Sequence, residues 1–181
     1  MAYSIANLAN VKSKKCGHIL NVVSSDALEN GFIVFAGDNV TGESELRLAV
    51  KPVTAKLTTD SAYLVYSDEI LYDESTYKKK QLGAFNIAAN TPTKAYELNV
   101  NDEIEVSYDG LTLLSTDAVV GNYVIAANNS YKMTELETLT GTEVFAGVIT
   151  AIKTVGTLQY VGSDGQVGNQ YKMVTIRIIK N

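Results

Sequence analysis

Short segments in which apolar and polar residues alternate recur along almost the whole chain. Examples are "ELRLAV" at 45–50, "DEIEVSY" at 102–108 and "VTIRIIK" at 174–180. Alternation over such lengths is typical of half-buried β-strands, and the segments follow one another at spacings near ~8–12 residues, separated by Gly, Asn and Asp. No stretch has convincing helical periodicity. The sequence therefore predicts an all-β fold, a compact barrel or sandwich of short antiparallel strands.

The alternation also predicts which side chains face the core, because successive side chains on a strand point to opposite faces. In the segment at 45–50 we expect Leu46, Leu48 and Val50 to be buried and Arg47 to lie on the other face. The same rule gives two further buried sets: Ile104, Val106 and Tyr108, and Val174, Ile176 and Ile178.

Turn residues predict two hairpins and one bend. In "NYVIAANNSYKMTE" two strand-like runs flank Asn128 and Asn129, and Asn tolerates the positive φ that tight hairpin turns require. A last hairpin is expected to turn around Asp164 and Gly165. Between the two, "GTEVFAGVITAIKTV" predicts a long strand with a bend at Gly147.

Two segments differ from this strand pattern. Residues 1–17 are small, polar and weakly periodic, and they predict an extended N-terminal arm. Residues 18–181 then form a single β domain, in which 68–93 is a long loop with acidic residues, three consecutive lysines and a proline. Long loops in compact domains are usually functional or mobile.

The composition limits the kinds of partner and of compartment. The 181 residues carry a net charge of −5 with only two arginines, which disfavours direct binding of nucleic acid. Cys16 is the single cysteine, so no intrachain disulfide is expected. No apolar run approaches the ~20 residues of a membrane span, and the N-terminus lacks the order of a signal peptide. We expect a protein made in a cytoplasm that does not bind membranes.

Candidate chemistry is sparse. Glu103 and Glu105 share one strand face about 7 Å apart, which suits paired catalytic carboxylates but equally an ordinary solvated face. The "CGH" at 16–18 places a thiol near the only imidazole, His18, without further ligands for a zinc site. No nucleophile elbow, Walker loop or dinucleotide fingerprint is present. The sequence predicts no catalytic residue, no cofactor and no metal.

The long loop offers an alternative to chemistry, namely binding of another protein. Lysines at 78–80 and several tyrosines lie in or beside it, and Tyr is enriched at interfaces because it combines a large contact area with a polar tip. A solvated loop with ordinary core and edge tyrosines explains the same residues.

Several segments together resemble the small β-rich structural proteins of tailed bacteriophages, above all head decoration (capsid-cement) proteins. The resemblance is carried by "ENGFIVFAGDNVTGE", "ELNVNDEIEVSYDGL", "VGNYVIAANNSYKM" and "VFAGVITAIKTV", in which short Gly, Asn and Asp turns lead into strands. It implies a compact barrel with an N-terminal arm that reaches across to capsid subunits. It also implies a non-enzymatic virion protein that binds the outer surface of the capsid lattice and stabilises it.

On this reading the partners are the major capsid protein and, as a homo-oligomer, the chain itself, and the location is the capsid surface. The partner-binding residues are expected in the arm and the long loop: Tyr3, Ile5, Leu8, Val11, Tyr72, Tyr77, Lys78, Lys79 and Lys80. Three alternatives stay open: another virion component such as a tail, connector or fibre-base protein; a β-sandwich carbohydrate-binding module; and an enzyme that uses Glu103 and Glu105.

Overall fold

A computed structural model describes residues 3–53, 60–69, 82–156 and 170–181. The fold is all-β, as the sequence predicts: the helical elements in these residues are the four-residue helix α1 (Ser13–Cys16) and short 3₁₀ turns at Leu82–Ala84 and Tyr108–Gly110. The strands of the described residues are β1 (Ala6–Asn10), β2 (Ile19–Val23), β3 (Ile33–Asn39), β4 (Leu46–Val50), β5 (Ala62–Val65), β6 (Thr93–Glu97), β7 (Glu103–Ser107), β8 (Leu111–Thr112), β9 (Tyr123–Ala126), β10 (Met133–Leu136), β11 (Ala146–Val155) and β12 (Tyr171–Lys180).

The strands form two sheets, one open and one closed. The open sheet has seven strands in the order β1-β7-β12-β11-β9-β10-β8. The closed sheet is a five-stranded barrel in the order β2-β4-β3-β5-β6, in which β6 returns to pair with β2. Closure removes the free edges that an open five-stranded sheet would present.

The prediction of short antiparallel strands holds only in part. The pairs β2–β4 and β8–β10 are parallel, because one strand that reverses the chain lies between the members of each pair. The two central strands of the open sheet, β11 and β12, are ten residues long and pair antiparallel over most of their length. The expected hairpin between β9 and β10 is present, and Asn129 at its turn has a φ of 56°.

The bend predicted in β11 coincides with an irregular register. The pairing with β12 shifts between Ala146 and Gly147 and again between Ile149 and Ala151. An extra residue in one strand bends that strand and increases its twist, as β-bulges do. The turn expected at Asp164 and Gly165 lies outside the described residues.

Two apolar clusters form the core. The first joins the inner face of the open sheet, including Ile104, Val106 and Ile176, to β3, β5 and β6 of the barrel. The second draws on all five barrel strands, with members such as Val22 and Val34. Val174, Ile176 and Ile178 are fully buried as predicted, whereas Tyr108 is only partly buried.

The expected faces of β4 are wrong at its centre. Leu48 is 46% exposed, while Ala49 is buried and belongs to the cluster that draws on all five barrel strands. The interior of a five-stranded barrel is narrow, so a small side chain fits where a leucine would overfill the space. The alternation of the sequence identifies a strand here, but it assigns the larger side chain to the wrong face.

The N-terminal segment also differs from the extended arm that we expected. Strand β1 lies at the edge of the open sheet and pairs antiparallel with β7. Ile5, Leu8 and Val11 are buried in the core, because the pairing of β1 with β7 places them beside the apolar face of β7. In the described residues this segment is thus part of the β domain.

Candidate functional site

The predicted partner-binding residues of the N-terminal segment differ in how far their side chains are exposed. Tyr3 is 37% exposed and can contact a partner. Ile5, Leu8 and Val11 are buried within their own chain, so in this structure they stabilise the fold. The other members of the predicted set, Tyr72, Tyr77, Lys78, Lys79 and Lys80, lie outside the described residues.

Glu105, one of the two carboxylates that we considered for acid–base chemistry, has structural partners. Glu105 accepts a hydrogen bond from Asn7 Nδ2 at 3.1 Å on one oxygen and forms an ion pair with Lys153 on the other. Asp102, three residues before Glu105, is buried and accepts hydrogen bonds from the backbone amides of Lys12 and Asn99. Glu105 therefore connects β7 to β1 and β11, and Asp102 connects the start of β7 to the segment before α1.

A helix end lies between Cys16 and His18 in the chain. Gly17, with a φ of 79°, terminates α1, and His18 Nδ1 lies 2.7 Å from Glu97 Oε2 at the protein surface. Beside this pair is a cavity of about 130 Å³ lined by Lys12, Ser13, His18, Glu97 and Asn99. Within the described part of the chain, no three His, Cys, Asp or Glu side chains are grouped so that they could hold a metal ion.

The β8–β9 loop, residues 113–122, is held in place by hydrogen bonds that converge on the side chain of Glu135 on β10. Glu135 is fully buried, and one carboxylate oxygen accepts the amide N–H of Leu114 at 3.2 Å. The other oxygen accepts the amide N–H of Val119 at 2.9 Å and the side-chain amide of Asn122 at 2.8 Å. One carboxylate thus holds three points of a ten-residue loop.

Further contacts fix the remainder of the β8–β9 loop. The amide of Ala118 donates to Tyr108 Oη at 3.3 Å, and the amide of Gly121 donates to the carbonyl of Ile149 at 2.9 Å. Asp117 forms an ion pair with Lys172, which raises the pKa of that lysine. The Lys172 ammonium also lies 5.5 Å from the centre of the Tyr108 ring.

The same loop presents apolar side chains to solvent. Leu114 and Val119 are each 52% exposed and Val120 is 55% exposed. The backbone amides of Leu114 and Val119 bind the two oxygens of one carboxylate, which brings these two parts of the loop backbone together. Single exposed aliphatic residues are common on protein surfaces, but a group of them on a rigid loop is typical of an interaction surface.

Our sequence reasoning missed this loop, although a signal for it exists. In "MTEL" at 133–136, alternation places Glu135 on the same face as Met133, which is fully buried. A carboxylate on a buried strand face needs hydrogen-bond donors, so this position implies a segment that wraps over it. The sequence does not indicate which segment supplies those donors.

A second cavity, of about 190 Å³, lies at the rim of the barrel. Its lining includes Tyr66, Asp68, Thr93 and Tyr96, with the two tyrosine rings edge to face at 6.2 Å. Burial raises the pKa of both tyrosines. The Thr93 hydroxyl is buried and has no hydrogen-bond partner among the described residues.

Comparisons with models of protein families, with curated proteins and with solved structures found no match. In the part of the chain that the structure describes, no helix has the length and apolar character needed to span a membrane.

Proposed function

We propose that this chain is a non-enzymatic structural protein of a phage virion that binds the outer surface of the capsid lattice and stabilises it. The observation that carries the binding part of this proposal is the β8–β9 loop, which is held on its inner side by hydrogen bonds to Glu135 and exposes three aliphatic side chains, Leu114, Val119 and Val120. The capsid as partner rests on the resemblance to head decoration proteins.

A loop held in one conformation before binding loses little conformational entropy when a partner covers it. Glu135 and Tyr108 provide this restraint, so the aliphatic group at Leu114, Val119 and Val120 is ready for contact. Burial of these side chains against a partner would contribute roughly 25 cal/mol per Å² of apolar surface removed from water. On a capsid, many copies of such a contact would add to the stability of the assembled shell by mass action.

Co-sedimentation tests this proposal. The intact chain is mixed with expanded capsids assembled from the major capsid protein of the same phage, and with unexpanded shells as the control. We expect the chain to pellet with expanded capsids at a saturating stoichiometry. Absence of binding to either shell would overturn the capsid proposal, and formation of rings or tubes by the chain alone would favour a tail or connector protein.

The barrel-rim cavity favours a second candidate, binding of a small carbohydrate. Tyrosine rings together with hydroxyl and carboxylate groups are suited to a sugar, and the buried Thr93 hydroxyl has no hydrogen-bond partner among the described residues. Titration of the labelled chain with methyl glycosides, followed by NMR, tests this candidate. Shifts at Tyr66 and Thr93 that disappear in Thr93→Val would support it, and unchanged spectra would exclude those sugars.

A further inference from the structure

Described residues pair with less than half of the outer edge of β11. Strand β9 pairs with Ala146, Gly147 and Val148, and the backbone of Ile149 exchanges hydrogen bonds with Gly121 and Asn122. Beyond Ile149, β11 continues for six residues, 150–155, and no described residue pairs with this part of its outer edge. On its other side the same part of β11 pairs with β12 from Ala151 to Val155.

All six residues of this free edge are exposed. Their sequence, "TAIKTV", is rich in β-branched residues, and Ile152 and Val155 are among the exposed large apolar residues of the described chain. Such an edge offers a row of backbone N–H and C=O groups to another strand, and proteins usually protect it with proline, charges or a covering segment. Its one charged residue, Lys153, is directed across the sheet to Glu105, on the β12 side of β11.

We propose that residues 150–155 of β11 are a strand-addition site for an extended, uncharged segment of the partner protein, rich in Val, Ile and Thr. The backbone edge requires an extended chain, and the pairing of Lys153 with Glu105 leaves no charge for the segment to match. The added strand continues the line of β9, and its end abuts Gly121 in the β8–β9 loop. The identity of the partner rests on the proposed function, and the strand-addition site itself does not.

A second copy of the chain fits this edge less well. In a two-fold antiparallel pair over 150–155, Gly156 of one copy would lie opposite Ile149 of the other, where Gly121 and Asn122 already occupy the edge. Six residues also span only about 20 Å, too short for the roughly 800 Å² per partner of a stable dimer. An added strand from a different protein avoids this clash, because it can end where the β8–β9 loop begins.

Hydrogen exchange of backbone amides tests the site directly. The chain is mixed with a soluble peptide of alternating valine and threonine between terminal lysines, or with the same peptide N-methylated at alternate residues. We expect exchange in 150–155 to slow by about tenfold or more with the first peptide only, because N-methyl groups block strand pairing. Equal effects of the two peptides, or no effect of either at millimolar concentration, would overturn the proposal.

The same measurement with expanded capsids separates this proposal from the proposed function. Binding with slowed exchange in 150–155 supports both, whereas binding without slowing retains the capsid proposal and overturns strand addition by the capsid protein. Absence of capsid binding overturns only the capsid proposal, since the peptide experiment tests strand addition at residues 150–155 independently. Ile152→Pro, with Thr154→Pro as a second variant in case the first does not fold, should abolish the peptide effect.

Discussion

Glu135 is a carboxylate in the core, and its side-chain hydrogen bonds with described residues go to one surface loop. A buried charged group is costly unless donors surround it, and here two backbone amides and one side-chain amide do so. The residue therefore couples the folded core to the conformation of residues 113–122. Its function is to position the loop, and the exposed aliphatic side chains of the loop depend on it.

Glu135→Gln should destabilise the protein by about 1–3 kcal/mol, because one acceptor oxygen becomes an NH₂ group that faces an N–H donor. Urea unfolding followed by circular dichroism measures the change in the free energy of unfolding. The matched control is Glu137→Gln, two residues further along and exposed, which should change stability by less than about 0.5 kcal/mol. Equal effects of the two substitutions would contradict the assigned role of Glu135.

Glu143 gives a prediction on pH. Hydrogen bonds from the Thr140 hydroxyl, from the Thr140 amide and from the Gly141 amide lower the pKa of Glu143 from 4.5 to about 2. Because the folded pKa is lowered, the turn gains a stabilising contribution that is present above pH 4.5 and lost as the pH falls through about 2. The contribution is small, since the group is largely solvated.

Thr140→Ala removes the hydroxyl donor and should raise the pKa of Glu143 part of the way to its ordinary value. An NMR titration of the side-chain carboxyl carbon measures this pKa. Thr138→Ala, at an exposed position nearby, is the control and should leave the titration unchanged. An unaltered pKa of Glu143 in Thr140→Ala would show that the hydroxyl is not the main cause.

At the level of elements, β1 is the strand whose position the sequence failed to predict. Its polar composition suggested an arm, but Ile5, Leu8 and Val11 fill the edge of the core beside β7. The five residues of β1 include only one large apolar side chain, Leu8, so its buried face is hard to recognise, and its partner is about 100 residues away in sequence. The prediction of β7, with Ile104 and Val106 inward, succeeded because two β-branched residues alternate with two glutamates in that strand.

Leu8→Ala should lower the free energy of unfolding by about 2–5 kcal/mol, because it leaves a cavity in the core. Chemical denaturation measures the loss. An exposed control in the same strand, Asn10→Ala, should have little effect. If Leu8→Ala and the control were equally stable, β1 would act as a detachable arm in solution.

Gly147 in β11 permits close packing with β12. A Cβ atom at this position would overlap Cγ2 of Ile176, a fully buried side chain, and would lie 3.4 Å from the carbonyl oxygen of Arg177. Gly147→Ala should therefore cost about 1–3 kcal/mol through overpacking, as thermal unfolding would show. Thr154→Ala in the same strand is the control, and a neutral Gly147→Ala would mean that the strands can separate there.

At the scale of the whole molecule, the sequence predicted the class of fold and most strands but not their arrangement in two sheets. The join at 98–102 illustrates the reason: "ELNVNDEIEV" looks like a turn between successive strands, yet β6 belongs to the barrel and β7 to the open sheet. The local residue pattern of a strand does not show which distant strand it pairs with, as in the pairing between β2 and β6. The apolar loop was missed for the same reason, since its restraint comes from β10.

For the whole molecule, the proposed function depends on whether the exposed aliphatic side chains of the β8–β9 loop contact a capsid. The most direct measurement is the affinity for expanded capsids of Val119→Asp compared with Val100→Asp, since both valines are similarly exposed at 52% and 54% but only Val119 lies in the loop. We predict that Val119→Asp weakens binding by about tenfold or more, because a carboxylate would be buried at the interface, while Val100→Asp binds like the unmodified chain. Equal affinities of the two variants, with both folded, would contradict the account.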